Sequence, residues 1–75
     1  MNLNERCSLS RKGIFVLRAQ LRADGKYHVA YQTPKGGWAI YDKTLPKGNR
    51  AFAEGKIQQL IASDPIKFIL DPDLI

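Results

Sequence analysis

The sequence predicts an α+β fold. A three-stranded antiparallel meander over about residues 13–22, 26–33 and 37–43 packs on one C-terminal helix over about 50–62, with a short final strand over 66–70. Two observations lead there. Apolar and polar side chains alternate along two consecutive runs in the first half, a strand's period of two, whereas the apolar residues of the second half recur at helical spacing. Seventy-five residues match one domain, 1–75, in which residues 1–12 are a poorly defined N-terminal segment.

In the first strand Phe15, Leu17, Ala19 and Leu21 are apolar, with Arg18, Gln20 and Arg22 between them; Tyr27, Val29 and Tyr31 alternate with Lys26, His28 and Gln32 in the second. A two-residue Asp24-Gly25 loop would set apolar side chains opposite polar ones. A three-residue Ala23-Asp24-Gly25 loop, with Gly25 left-handed, pairs Leu21 with Tyr27, Ala19 with Val29 and Leu17 with Tyr31, so the apolar faces coincide. Pro34-Lys35-Gly36-Gly37 reads as a turn into the third strand, with Trp38 beside Thr33 and Ile40 beside Tyr31. Gly48-Asn49 offers an N-cap, Ala53, Ile57, Leu60 and Ile61 form the helix stripe, and Pro65 ends it. Leu3 to Leu9 is compatible with a turn or two of helix.

Composition narrows the functions. The chain is 44% hydrophobic and 25% charged, as in an ordinary soluble globular protein. No apolar run approaches the roughly 20 residues of a membrane span, and the polar start lacks a secretory signal. One Cys and one His exclude cysteine-rich metal sites, so no metal or cofactor is expected. The net charge of +5 is lopsided: residues 1–56 carry +7 and residues 57–75 carry −2. Such a field favours anionic partners without choosing among them.

The helix stripe must cover the Phe15, Leu17, Leu21, Val29, Tyr31 and Ile40 face of the sheet. In that register Trp38 shares the covered face, and the opposite face presents Arg18, Gln20, Arg22, Lys26, His28, Gln32, Tyr41 and Lys43, with Ile14 and Val16 at one end. This cationic face on rigid strands is the expected anion site. Each residue also has a plain alternative: a solvated strand arginine at Arg18, a sheet histidine at His28, core packing at Trp38 and solvated lysines at Lys26 and Lys43.

Gly13-Ile14-Phe15-Val16-Leu17-Arg18 resembles the Gly-x-Phe-Leu-Val-Arg strand of Src-homology-2 domains, which bind phosphotyrosine. Downstream, Tyr27-His28-Val29-Ala30-Tyr31 is similar to the family's next strand, and Gly36-Gly37-Trp38-Ala39-Ile40 looks like the one after it. Phe52 with Ile57-Gln58-Gln59-Leu60-Ile61 resembles the second helix, and Phe68-Ile69-Leu70-Asp71-Pro72 the closing segment. The likeness covers roughly residues 13–72, and the compact Cbl-type or bacterial-effector version is nearest in length. It implies that Arg18 holds the phosphate, with Gln20, Arg22 and His28 as secondary contacts and Trp38, Tyr41 and Lys43 along the peptide.

The sequence departs from the family in three places. Gln20 stands where a serine is usual. Gly37 and Ala39 replace a His and a Lys that flank the phosphotyrosine ring. Only twelve residues precede Gly13, so the first helix and its supporting arginine are shortened, leaving Arg6, Arg11 and Lys12 as substitutes. Cover for Ile14 and Val16 must then come from the short N-terminus or, by self-association, from a second copy.

Two functions follow as expectations. One is a non-enzymatic, cytoplasmic module that binds a tyrosine-phosphorylated protein or peptide, in the host cytosol if the chain is a pathogen effector. The other is a small basic nucleic-acid-binding domain using the same face. A ribonuclease relying on His28 lacks a second histidine, and no catalytic residue or membrane partner is expected.

Overall fold

A computed structural model describes residues 2–41 and 48–71. Its elements are α1 (Leu3–Arg11), β1 (Phe15–Leu21), β2 (Tyr27–Gln32), β3 (Trp38–Ile40), α2 (Arg50–Ser63) and β4 (Phe68–Leu70). The strands form one sheet in the order β3-β2-β1-β4. Strands β1 to β3 are the antiparallel meander, whereas β4 returns through α2 to lie parallel to β1 at the opposite edge.

The β1–β2 hairpin has the expected register, Leu21 facing Tyr27, Ala19 facing Val29 and Leu17 facing Tyr31. Its three-residue loop closes through Gly25 N–H donating to the Arg22 carbonyl, with Gly25 at φ 78°, a conformation that costs glycine nothing.

The second hairpin corrects the sequence reading. Thr33 N–H donates to the Gly37 carbonyl, so the loop is only Pro34-Lys35-Gly36, with Gly36 at φ 94°. Trp38 therefore pairs with Gln32, Ala39 with Tyr31 and Ile40 with Ala30. A one-residue change of register exchanges the two faces of a strand. Trp38 and Ile40 accordingly join Arg18 and Gln32, while Tyr41, whose N–H donates to the Val29 carbonyl, turns to the α2 side.

Helix α2 begins at the Asn49 N-cap, whose side chain accepts from Phe52 N–H, and buries Ala53 and Ile57 as expected. The core is Leu17, Val29, Ile57 and Phe68, with Phe15, Tyr31, Tyr41 and Leu60 packed against it. Tyr41 lies edge-on to Phe15 and to Phe68, both at ring centroid distances of 5.4 Å, so it is a packing residue and not part of the basic face.

The N-terminal segment is more ordered than the sequence shows. Asn2 and Glu5 form a reciprocal capping box that starts α1. The helix packs on the face opposite α2, and Val16 beneath it has no exposed surface. No second copy is needed to cover Val16, and Ile14 is half-buried within the chain.

Candidate functional site: an arginine stacked on tryptophan

Pairing places Arg18 opposite Ala30, which in turn faces Ile40, with Gln20 opposite His28 and Gln32 opposite Trp38. To reach β3 from β1, the Arg18 side chain crosses β2 above Ala30, whose methyl is small enough to pass under it. Its guanidinium carbon ends 3.9 Å from the centroid of the Trp38 ring. The attraction between a cation and the π face holds the guanidinium over the ring. A contact of this kind does not use up the N–H donors of the guanidinium. Among the described residues they make no hydrogen bond or ion pair, and the side chain is half-buried.

The neighbours differ in how committed they are. His28 Nε2 lies 3.0 Å from Asp24 Oδ2, and its side chain is only 9% exposed. The other oxygen, Asp24 Oδ1, accepts the Lys26 backbone N–H at 3.0 Å, so this carboxylate organises the hairpin tip. A carboxylate thus accompanies the histidine, but among the described residues no group of three or more His, Cys, Asp and Glu that could hold a metal ion exists. Gln20 Oε1 is buried without a donor. Rotating its amide by 180° would put the Nε2 donor at that point. Arg22 is half-buried beyond it, and Lys43 lies outside the described residues.

Arg6 and Asp71 complete this face, and the sequence reading assigned the second no role. From α1, Arg6 Nη1 donates to Gln32 Oε1 at 3.0 Å and to Asp71 Oδ2 at 3.2 Å, and Nη2 pairs closely with Asp71 Oδ1. Both residues are buried, at 7% and 1% exposure. Such a pair is retained only with near-ideal geometry and further hydrogen bonds. Here Gln32 supplies one, its own amide being held by Nε2 donating to the Gly36 carbonyl at 2.8 Å. Arg6 is therefore a fastening residue inside the molecule, not a second anion ligand at its surface. The signal that would have found it is a cation at mid-helix on a face that also carries Cys7.

An open concavity of about 410 Å³ runs along α1 and is lined by Asn2, Glu5, Ser8 and Lys12. It includes none of the predicted site residues. No helix among the described residues is long and apolar enough to cross a membrane. No protein-family model, curated protein or solved structure matches the chain.

Proposed function

We propose that the chain is a non-enzymatic recognition module that binds tyrosine-phosphorylated peptides through Arg18. One observation carries this reading: a half-buried guanidinium on rigid strands, held over the Trp38 ring, with its N–H groups unspent among the described residues. A phosphate of about −1.5 to −2 charges takes two parallel hydrogen bonds from such a group. The surrounding positive field draws it in, and the resemblance to Src-homology-2 domains supplies the phosphotyrosine. The order of elements, with helices on opposite faces of a meander, is compatible with that resemblance. Gln20, Arg22 and His28 are the secondary contacts, and Trp38 borders the peptide path. Tyrosine phosphorylation places the partner in a cytosol, the host's if the chain is a delivered effector.

Nucleic-acid binding is the weaker reading. Reading successive bases takes several exposed aromatic platforms, and with Tyr41 in the core this face has Trp38 alone among the described residues.

The test titrates a phosphotyrosine peptide, its unphosphorylated form and single-stranded RNA against wild-type and Arg18→Ala protein. Charged hydrogen bonds contribute about 1.5–3 kcal/mol each, so the variant should lose roughly tenfold or more in affinity for the phosphopeptide. RNA binding that persists in Arg18→Ala and declines steeply with salt would select the alternative.

A further inference from the structure

We propose that Arg6 is a positioning residue for the anion site: by holding the Asp71 carboxylate, it keeps that carboxylate from capturing Arg18. The inference rests on the recognition reading but concerns the interior. Parallel pairing of Leu17 with Leu70 continues one step through Asp71 N–H, which donates to the Leu17 carbonyl at 2.8 Å. Asp71 thus stands beside Arg18 on the neighbouring strand, roughly 4.8 Å away across the ladder. Both side chains are on the α1 face, since one meets Arg6 and the other meets Trp38.

A guanidinium and a carboxylate on neighbouring strands of one face are within reach of each other, and such a pair is often bidentate. Arg18 instead points the other way, across Ala30. The reason is that both Asp71 oxygens are taken by Arg6, and α1 closes over them to leave 1% exposure. Two arginines therefore share this side of the sheet with one carboxylate. The helical one neutralises it, and the strand one keeps its charge for an incoming anion. Without Arg6, the Asp71 carboxylate would lose the guanidinium that engages both its oxygens, and pairing with Arg18 one strand away would restore part of what is lost. The phosphate would then have to compete with Asp71 for Arg18.

The test uses the full chain, a phosphotyrosine peptide and the signal of Trp38, the one tryptophan present. Arg6→Gln should weaken the phosphopeptide at least tenfold and change the near-ultraviolet circular dichroism of Trp38 as the guanidinium leaves the indole. Adding Asp71→Asn to Arg6→Gln should restore both, which a purely structural role for Arg6 would not do. Should Arg6→Gln fail to fold, Arg6→Lys replaces it, because an ammonium leaves part of the carboxylate unengaged; a loss of at least threefold, reversed by Asp71→Asn, is then expected. A folded Arg6 variant that binds within twofold of wild type overturns the proposal, as does a double variant that recovers nothing. If wild type shows no phosphate-dependent binding, the recognition reading fails by itself. The Trp38 signal then decides this one: unchanged in the Arg6 variant it is overturned, changed and restored by Asp71→Asn it stands.

Discussion

At the scale of single residues, Trp38 and Tyr41 are separated by function although three positions apart in one strand region. The indole orients a cation, and a cation over an aromatic face contributes about 0.5–2 kcal/mol depending on desolvation. Trp38→Ala should therefore weaken the phosphopeptide by roughly 2- to 30-fold in calorimetric titration, with the larger loss at Arg18→Ala. Tyr41 instead fills the space between Phe15 and Phe68. Tyr41→Ala should cost about 3 kcal/mol of stability by loss of packing. For a domain of this size that lowers the melting temperature by roughly 12–24 °C, while a binding assay run well below the transition should show near-normal affinity. A binding defect without loss of stability at Tyr41 would contradict the face assignment.

At the scale of elements, most of the fold was legible because propensity, turn chemistry and periodicity agreed. The β1–β2 register followed from matching apolar faces, and α2 followed from Asn49 and the Ala53-Ile57-Leu60-Ile61 stripe. The β2–β3 register did not, because Pro34-Lys35-Gly36-Gly37 fits turns of three or four residues, and Trp38, Ala39, Ile40 and Tyr41 offer no alternation to arbitrate between them. What decides is the left-handed conformation of Gly36, the counterpart of Gly25 in the first hairpin. Gly36→Ala should cost about 1–2 kcal/mol from that backbone conformation. Gly25→Ala should cost about as much, since a Cβ at Gly36 meets the Leu3 side chain only at 3.4 Å, an ordinary contact, and one at Gly25 meets nothing within 4 Å. Urea midpoints of the two variants measure both losses. Helix α1 was poorly legible for another reason: it is short, mostly polar, and held by tertiary contacts instead of an apolar stripe. That concealed the cover over Val16 and the partner of Arg6.

At the scale of the whole molecule, the Arg6, Gln32 and Asp71 cluster joins α1, β2 and the end of β4 in one buried contact. Removing one member of such a pair takes away most of the compensation of a buried charge, typically at a cost of about 3–5 kcal/mol. That is a large share of the 5–15 kcal/mol by which domains are stable. Asp71→Ala should therefore lower both the melting temperature and the urea midpoint well below those of the wild type. Replacing both partners together, as Arg6→Met with Asp71→Leu, should recover much of the loss. An additive double variant would show that the two side chains are not energetically coupled. The candidate site was legible in part: Arg18 stands on the face that the alternation assigned to it, but its aromatic support depended on the misread turn, and the roles of Arg6 and Asp71 depended on a contact between the two ends of the described chain.

That contact spans 65 positions, which sets a schedule for the emerging polypeptide. On the ribosome α1 is made 65 positions ahead of Asp71, so until that residue emerges the helix lacks the carboxylate that fastens Arg6. Non-local closures of this kind slow folding, and the fastening of α1 waits for Asp71 while the two local hairpins can already pair.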